Sequence, residues 1–568
     1  MNVLTASQLY IDEMIRLTGP GMKILLMDKE TTSIVSCSFS QSELMQKEVY
    51  LFERIDTINI RDSVKYIKAI VFVRPTFKNV QFLIEELKNP KYSLYYIFFS
   101  NFIPKTEIKQ LARYDNNEVV RDLHEFFLDS IPLSTNLLTL GIPNCYTIKN
   151  GLFEINEEYL NRAIEMLTAC SLSFKRKPIV RYQRNSKNCA RLAEGIDKLR
   201  SREEHLFESC NDDVLILILE RSEDPITPLL NQWTYEAMVH ELFGINNNKV
   251  ILNLKNKDDK GNVVDESKIF VLNCLQDEFY ATNMYLNFGE IGQNIKQLMN
   301  EHQEKAKVHQ KLDSVQDMKK FIENYPQFKK MSGTLSKHVQ IVSELAAIVA
   351  REKLMEISEL EQTMFANGDH NECLENVKKL LQNSNISDLN AVRLVMIYGL
   401  RFEGHVNNAL PSLLSILRQR GVDGKYFTAI ENLFTYSGSN IRQGDLFKKN
   451  PSASELAKRI IKGFKGIENI FTEHDPYILR LLEDIVRGRL TEQSFPYIWN
   501  NGNFGVNGKR IEGIIVYIVG GATYEESAAV NLFNLKKLQN PSYPKVVLAS
   551  NYVHNTKSFI DMLSNSQK

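Results

Sequence analysis

The stretch VLILILERSEDP (214–225) combines the clearest strand signal in the chain with a charged segment directly after it. Its first six residues are all branched and apolar, which is typical of a strand buried on both faces of a parallel sheet. Pro225 ends the strand, because proline lacks the N–H that a sheet ladder needs. The segment therefore predicts an α/β fold with a charged turn at the carboxyl end of one strand.

Short apolar runs on both sides of this segment predict further strands of the same kind. They are Met22–Met27, Ala69–Val73, Tyr95–Ser100, Ile514–Val519 and Val546–Ala549. Helical patterns lie between the earlier runs, at Gln41–Arg54, Thr76–Leu87 and Thr106–Leu128. Alternating strands and helices indicate α/β units with parallel sheets.

Helical periodicity replaces the strand pattern between Thr282 and Arg489. The predicted helices are Met284–Met299, Val315–Asn324, Gln327–Lys353, Ile357–Phe365, Leu389–Phe402, Ala409–Gln419 and Ala453–Phe464. Because the α/β pattern returns at Gly513, we expect the last stretch of the chain to complete an earlier sheet. The polar segments Lys255–Lys268 and Asn500–Lys509 predict exposed loops. The fold class is thus α/β with a large helical domain.

The composition excludes several classes of function. The 568 residues predict two to four domains, and the 69 Lys plus Arg balance 69 Asp plus Glu,. A neutral chain lacks the basic footprint of a nucleic-acid-binding protein and has no general attraction to an anionic membrane. The apolar runs are too short to cross a bilayer, and seven scattered cysteines are typical of a reduced cytosolic protein,. We therefore expect membrane contact only through partners.

Motifs for catalysis or cofactor binding are incomplete. There is no P-loop, and Gly520-Gly521 followed by ATYEE does not match a dinucleotide fingerprint, so a tight strand-to-helix turn is the better interpretation,. His240-Glu241 begins like a zinc-protease motif, but Gly244 stands where the second histidine is required,. We accordingly expect no cofactor and no metal.

The charged segment Glu220–Asp224 has two interpretations. As the site of an α/β enzyme, for example a transferase, two of its acids would act as general acid and base at the carboxyl end of a strand. As a charged turn, Arg221 pairs locally and Thr227 caps a helix with Pro228 in its first turn,. The residue types favour the turn.

The segment that follows carries a family resemblance. DPITPLLNQWTYEAMVHELFGINNNKV (224–250) closely resembles the signature of the SM (Sec/Munc-type, syntaxin-binding) proteins. Matching phrases extend along nearly the whole chain, among them GPGMKILLMDKETTSIVS (19–36), QSELMQKEVYLFERID (41–56), YPQFKKMSGTLSKHVQIVSEL (325–345) and IVGGATYEE (518–526).

The resemblance implies a three-domain arch and a function without catalysis. Domain one would span 1–133, domain two 134–235 and 490–568, and the mainly helical domain three 236–489, with a helical hairpin around 295–350. SM proteins bind a syntaxin-type Qa-SNARE and its SNARE complex and promote vesicle fusion. The match favours a trans-Golgi and endosomal member, peripherally associated with those membranes, with a syntaxin-16-type partner, a vesicle R-SNARE and the Rab effector rabenosyn. An SM protein of another fusion route is the alternative.

The resemblance places a pocket for the syntaxin N-terminal peptide in Thr106–Phe127. Ile108, Leu111, Val120 and Leu123 would form an apolar slot on two consecutive helices, with Glu125 receiving a basic residue of the peptide. From the residues alone, packing of these helices onto the sheet is the favoured explanation of the apolar spacing, and Glu125 would be a solvated surface charge. The resemblance favours the pocket. A larger aromatic in several family members where this chain has Ile108 leaves the depth of the slot open.

Two further contacts are implied by the resemblance. The hairpin would receive a SNARE helix near its tip, through Tyr325, Pro326, Phe328, Met331 and Leu335, with Pro326 bending or breaking the helix. From Val339 onward, the stripe Val339, Val342, Ala346 and Val349 predicts core packing. The cavity between domains one and three would hold the syntaxin helices against Lys47, Glu48, Glu53 and Arg54, although such charges are also typical of the exposed face of a helix.

Overall fold

Fifteen strands and nineteen α-helices are present in the described part of the computed structural model, which covers residues 1–57, 61–257, 263–309, 315–365, 369–444, 447, 474–498 and 511–565. The side chains of 212, 254–257, 263–265, 305–309 and 315–328 are outside this description. The strands are β1 (Lys23–Met27), β2 (Val49–Arg54), β3 (Lys68–Val73), β4 (Tyr95–Phe99), β5 (Val120–Glu125), β6 (Ile131–Pro132), β7 (Leu137–Thr139), β8 (Tyr146–Lys149), β9 (Leu152–Ile155), β10 (Arg176–Tyr182), β11 (Asn211–Glu220), β12 (Lys249–Lys257), β13 (Val263–Val271), β14 (Gly513–Val519) and β15 (Lys545–Ser550).

The helices alternate with strands at both ends of the chain and follow one another in the middle. They are α1 (Val3–Leu17), α2 (Lys29–Ser38), α3 (Gln41–Gln46), α4 (Phe77–Lys88), α5 (Lys105–Tyr114), α6 (Glu157–Ser173), α7 (Lys187–Arg202), α8 (Tyr235–Leu242), α9 (Glu278–Asn283), α10 (Phe288–His309), α11 (Val315–Arg351), α12 (Leu354–Phe365), α13 (His370–Leu381), α14 (Asp388–Arg401), α15 (Leu410–Gln419), α16 (Gly424–Ser437), α17 (Tyr477–Val486), α18 (Tyr524–Gln539) and α19 (Thr556–Asn565). Short 3-10 turns lie at Glu204–Phe207, Arg221–Glu223 and Thr227–Leu229.

The first sheet is entirely parallel and has the order β2-β1-β3-β4-β5. Every residue of β1 and β4 is buried, as expected for inner strands covered by helices on both faces,. The outer strands β2 and β5 keep exposed positions, with two of six residues in β2 half-buried and only Val49 buried. The two edges of this sheet are therefore the places where strand residues meet solvent.

The second sheet joins distant parts of the chain in the order β10-β11-β14-β15-β7-β6. Strands β14 and β15, from the end of the chain, pair with β11 and β7 in parallel, so the prediction that the last segment completes an earlier sheet is confirmed. Strand β6 lies just before residue 133 but belongs to this sheet through its antiparallel pairing with β7. The exact domain limits stay a prediction.

Three local predictions are wrong for identifiable reasons. Gln41–Arg54 is helical only to Gln46 and then forms β2, and Thr106–Leu128 is helical only to Tyr114 and then forms β5. Pairing with β1 and β4 provides backbone partners that override a weak helical spacing,. Lys255–Lys268 is partly strand, since β12 and β13 form an antiparallel hairpin. Asn500–Lys509 and Ala453–Phe464 lie outside the described residues.

None of the described helices combines the length and the apolar character needed to span a bilayer.

Candidate functional site

The outer edge of the first sheet brings the five predicted pocket residues together. Leu111 is buried in the core beneath α5, whereas Ile108, Val120 and Leu123 are half-buried and pack against that same core. Glu125 is exposed at the end of β5. We call Ile108, Val120, Leu123 and Glu125 the edge groove. Leu111 supports the groove from below instead of lining it, which corrects its predicted place in the slot.

A β-bulge explains why the apolar residues of the edge groove are spaced like those of a helix. Tyr95 pairs with Val120 and Tyr96 with Asp122, so Arg121 is one extra residue in β5. Residues three apart in a regular strand face opposite sides, but an extra residue between them restores the same side. Val120 and Leu123 therefore face the same side on a strand, not on a helix as predicted.

Hydrogen bonds fix α5 against β5. The Ile103 amide, just before α5, donates to Oε1 of Glu125 at 2.9 Å. At the other end of the helix, the carboxylate of Asp115 accepts the amides of Val119 and Val120 at 2.9 and 3.0 Å. These bonds hold both ends of the edge groove, so its width is set before any ligand binds.

The helical hairpin consists of α10 and α11, and α11 alone is about 55 Å long at 1.5 Å per residue,. Its backbone is helical through Pro326, so the helix does not break there, and the predicted bend stays a prediction. Met331 and Leu335 are half-buried, while the side chains of Tyr325, Pro326 and Phe328 lie outside the described residues. The tip contact predicted for these five residues stays a prediction.

The root of α11 is held by a buried polar network. The hydroxyl of Tyr235 and Nδ1 of His338 are 2.7 Å apart, and Nε2 of His338 is 2.9 Å from Oδ2 of Asp277, which Lys337 also contacts. Burial lowers the pKa of His338 despite Asp277, so the neutral imidazole donates from Nε2 to Asp277 and accepts from Tyr235,.

The core stripe of α11 includes most of the predicted residues and adds Ile341 and Leu345. The structure buries Ile341, Leu345 and Val349, while Ala346 is exposed. Val339 and Val342 are partly buried against the core and Val349 is buried in it, so three of the four predicted residues face the core, and only Ala346 does not. Among the described side chains of α11, the fully buried apolar residues thus lie in its second half, from Ile341 to Val349.

The opposite edge of the first sheet carries the predicted cavity residues. They are not on a helix: Lys47 and Glu48 follow α3, while Glu53 and Arg54 lie on β2. Lys47 pairs with Asp12 at 2.8 Å, and Arg54 donates two hydrogen bonds of 2.8 Å to Asp56.

Glu48 and Glu53 differ in their partners. One oxygen of Glu48 accepts from Lys23 Nζ and from the Gly21 amide, both at 2.9 Å. Glu53 is exposed on β2. Most of the predicted cavity charges are therefore already engaged within this edge.

Apolar residues on the same edge were missed by the sequence reasoning. Met22, Met45, Tyr50 and Leu51 are 49%, 41%, 45% and 38% exposed, and the latter two lie on β2. The run VYLF (49–52) lies in a segment predicted as helix, and only the position of β2 at the sheet edge shows that its side chains are available to a partner. Exposed apolar residues at a strand edge are typical of an interaction surface.

Comparison with known proteins identifies the family. The family model described as Sec1 family matches residues 23–562. The chain belongs to the Sec1 family. This is the SM family that the sequence resembles, and the match includes both edges of the first sheet, α11 and the whole second sheet.

Relatives of the Sec1 family match this chain over nearly its full length. Vacuolar protein sorting-associated protein 45 of Mus musculus is 47% identical over 99% of this chain and 96% of its own length. The protein of the same name from Saccharomyces cerevisiae is 33% identical, over 96% and 95%.

Solved structures agree with this assignment. "SM Protein Vps45 in Complex with Qa SNARE Tlg2" has a TM-score of 0.89 at 37% identity, covering 100% of this chain and 98% of that one. The Unc18–syntaxin 1 complex of Monosiga brevicollis, at 19% identity and a TM-score of 0.80 over the full length of both chains, shares the fold. The α/β sheets with a large helical domain are thus the architecture of the Sec1 family.

The charged segment of this Sec1-family chain is buried, not an exposed turn. Arg221 donates to both carboxylate oxygens of Glu526 at 2.8 Å, so its closest partner is distant in sequence. Thr227 is the first residue of a short 3-10 turn instead of a helix cap, and its amide donates to Asp224 at 3.0 Å. We call Glu220, Arg221, Glu223, Asp224 and Glu526 the carboxyl-end cluster; each is 5% exposed or less.

The carboxyl-end cluster is enclosed by neighbouring side chains. Tyr146 and Ser186 donate to Glu220, the latter at 2.6 Å, and Ser437 of α16 bonds the Ser222 carbonyl from above. A small cavity lined by Pro228, His240 and Thr523, among others, has a volume of about 10 Å³, enough for one water molecule,. The positions described here also contain no group of three potential metal ligands. The cluster is a buried joint between elements of the Sec1 fold.

Burial governs the protonation of this joint. It raises the pKa of Glu220 to about 7, even though the donors Ser186 and Tyr146 act in the opposite direction,. Burial lowers the pKa of Arg221, but the carboxylates of Glu526 and Asp224 more than offset this and raise it overall. Arg221 is therefore a permanent cation neutralised inside the protein.

Proposed function

We propose that this chain binds a Qa-SNARE and promotes assembly of SNARE complexes, without catalysis, in trans-Golgi and endosomal transport. One observation carries the proposal: the solved Vps45–Qa SNARE Tlg2 complex matches this chain over its whole length at 37% identity. The proposed partners are a syntaxin-16-type Qa-SNARE and its SNARE complex, a vesicle R-SNARE and the Rab effector rabenosyn. Peripheral association with trans-Golgi and endosomal membranes then comes from these partners.

The physical role is that of a template. SNARE complexes are parallel helical bundles, and starting a helix in water is costly because several residues must be ordered for the first hydrogen bond. Aligning separate chains in one register adds to this cost. A surface that holds SNARE segments helical and adjacent lowers the barrier to pairing without making or breaking a covalent bond.

The edge groove is the proposed site for the N-terminal peptide of the Qa-SNARE. Its apolar wall of Ile108, Val120 and Leu123 is half-buried and preformed, and the exposed carboxylate of Glu125 stands at one end for a basic residue of the peptide,. A short peptide bound here raises the local concentration of the rest of the SNARE near the protein, so a weak contact has a large effect.

The opposite edge is the proposed contact for the SNARE helices. Met22, Met45, Tyr50 and Leu51 offer the apolar area, and Lys47, Glu48, Glu53 and Arg54 surround it with both signs of charge. Such an apolar centre with a charged rim is typical of protein interfaces.

The hairpin is the proposed site for the R-SNARE. Residues 295–340 contain nine lysines and five acids, which complements an acidic helix,. Because the network around His338 fixes the root, α11 presents its outer part, including Met331 and Leu335, at a defined position.

Pull-downs with the N-terminal peptides of several Qa-SNAREs test the proposal. Peptides of syntaxin 16 and of plasma-membrane, Golgi and lysosomal Qa-SNAREs are immobilised, and binding of the purified chain is measured by titration. We expect the syntaxin-16-type peptide to bind best, and the chain to accelerate assembly of the matching SNAREs. Equal failure of all peptides and an unchanged assembly rate would refute the proposed function; preference for another peptide would reassign the route.

A further inference from the structure

The carboxyl-terminal half of α18 emerges from the protein with apolar residues facing solvent. Its first seven residues are almost all buried, but Leu532, Leu535 and Leu538 are 38%, 42% and 83% exposed. These leucines follow one another at intervals of three, so each lies next to the previous one along the helix. Scattered exposed leucines are ordinary, whereas three on the end of one helix form a patch.

The position of this patch is fixed by the second sheet. The side chain of Asn534 exchanges two hydrogen bonds with the backbone of Val546, its Nδ2 donating at 2.9 Å and its Oδ1 accepting at 2.7 Å. The rings of Phe533 and Tyr543 pack with their centroids 5.5 Å apart. The helix end is therefore rigidly joined to the start of β15, and its leucines are held outward instead of folding back.

Lysines without counter-charges accompany the leucines. The segment 530–545 has three lysines and no acidic residue. Lys536 pairs with Glu483, but neither Lys537 nor Lys545 has an ion-pair partner within the described ranges. Burial, with the nearby charge of Lys537, lowers the pKa of Lys545, which agrees with two close cations that lack a neutralising group,.

We propose that this helix end, defined by Leu532, Leu535, Leu538, Lys537 and Lys545, docks directly on an anionic lipid surface. Exposed leucines enter the interface between headgroups and acyl chains, while adjacent lysines pair with lipid phosphates. The leucines are exposed at the end of a helix, so a bilayer accommodates them without a complementary groove. An acidic protein segment would also complement the lysines, but it would need an apolar groove of its own to cover the leucines.

This contact is separate from the proposed SNARE function. The chain as a whole is neutral, so it has no long-range attraction to an anionic membrane, and the patch acts only at short range,. Direct lipid contact would orient the second sheet toward the membrane even when no SNARE is bound. It also adds a second, weak anchor to partner binding, which increases the time spent at the membrane.

Flotation of the purified full chain with SNARE-free vesicles tests the proposal. Vesicles of phosphatidylcholine alone are compared with vesicles that also contain phosphatidylserine. We expect flotation with the anionic vesicles only, and a loss of about fivefold or more with Leu535→Asp/Leu538→Asp or with Lys537→Glu/Lys545→Glu, since both apolar area and charge contribute to interfacial binding. Added salt should reduce flotation of the wild type.

Matched controls keep the result interpretable. Leu9→Asp removes another strongly exposed leucine, and Lys557→Glu removes an exposed lysine at the other end of the second sheet; neither should change flotation. The patch variants should keep the thermal midpoint and the syntaxin-peptide affinity of the wild type, which separates this test from that of the SNARE function. If the wild type stays at the bottom with both vesicles, or the leucine variant floats like the wild type, direct lipid docking is wrong, and an acidic protein segment becomes the alternative.

Discussion

The edge groove and the carboxyl-end cluster use charged and apolar residues in opposite ways. In the cluster, five ionisable residues are almost completely buried and bond to one another and to neighbouring elements. In the groove, three apolar residues remain half-exposed around one exposed carboxylate. The difference shows that burial, more than residue type, separates the groups that hold this protein together from those available to a partner.

The cluster also explains why an enzyme-like motif belongs to a protein proposed to be a template. Glu220, Arg221 and Asp224 lie at the carboxyl end of a parallel strand, where ligands bind in many α/β proteins. Here α16 and the start of α18 cover that position, through Tyr436, Ser437 and Glu526. The location that would form an active site instead joins the second sheet to the helical part of the chain.

Breaking the buried ion pair should give the largest effect. Arg221→Leu leaves Glu526 as an unpaired buried carboxylate, and we expect a loss of about 3–5 kcal/mol in the free energy of unfolding, measured by denaturant titration. Syntaxin-peptide affinity should stay unchanged at temperatures where the variant is folded. Arg191→Leu, which removes an exposed pair with Glu157, is the matched control and should cost less than about 1 kcal/mol,. Equal effects of the two substitutions would contradict the structural role of the cluster.

The pH dependence of stability is a second test of the carboxyl-end cluster. Because the pKa of Glu220 is raised to about 7 in the folded state, its protonated form is favoured by folding. Its contribution to stability is complete below the unfolded pKa of about 4.5 and is lost as pH rises to about 7, by about 3 kcal/mol in total.

Glu220→Gln should remove this pH dependence. The measurement is the free energy of unfolding of wild type and variant at several pH values between 4 and 8, where the difference between them should change by about 3 kcal/mol. Glu194→Gln, an exposed acid on α7, should parallel the wild type at every pH. A constant difference between Glu220→Gln and the wild type would show that Glu220 titrates normally.

The sequence predicts much of this contrast, but it predicts the strands better than the burial of the charged segment. The six strand predictions hold because buried parallel strands consist of continuous apolar runs, which few other elements resemble,. The sequence places the charged segment correctly at the end of β11, but it does not predict that the segment is buried. Glu526 is 305 positions from Arg221 in sequence, and only the tertiary fold brings the two together.

The edge groove shows a second limit. Ile108, Val120 and Leu123 do lie together, yet on a helix and a bulged strand, because one extra residue in β5 imitates helical spacing,. The exposed apolar residues Tyr50 and Leu51 gave no signal at all. Whether an apolar strand lies at the centre or at the edge of a sheet depends on strand order, which local patterns do not contain.

A charge placed in the edge groove tests the second region of the comparison, whose residues are available to a partner. Ile108→Arg should weaken binding of the syntaxin N-terminal peptide by about tenfold or more, equivalent to about 1.4 kcal/mol, because it puts a guanidinium into an apolar slot. The half-exposed side chain can reach solvent, so the free energy of unfolding should fall by less than about 1 kcal/mol.

Leu111→Ala is the informative companion of Ile108→Arg. It removes a buried side chain and should cost about 2–5 kcal/mol of stability,. Calorimetry of peptide binding and denaturant titration on both variants therefore distinguish a residue that lines the groove from one that supports it. If Ile108→Arg binds the peptide normally, the groove is not the peptide site.

The smallest effect is expected at the carboxylate of the edge groove. Glu125→Gln keeps an oxygen that accepts the Ile103 amide, so the start of α5 stays in place, but it removes the negative charge proposed to meet a basic peptide residue. For an exposed ion pair we expect a loss of about two- to fivefold in peptide affinity, up to about 1 kcal/mol, and a weaker salt dependence than that of the wild type. Glu125→Ala loses the hydrogen bond as well and should bind more weakly than Glu125→Gln. If the two variants bind equally well and both keep the salt dependence of the wild type, Glu125 positions the helix without contacting the peptide, and the groove recognises its ligand through apolar contacts alone.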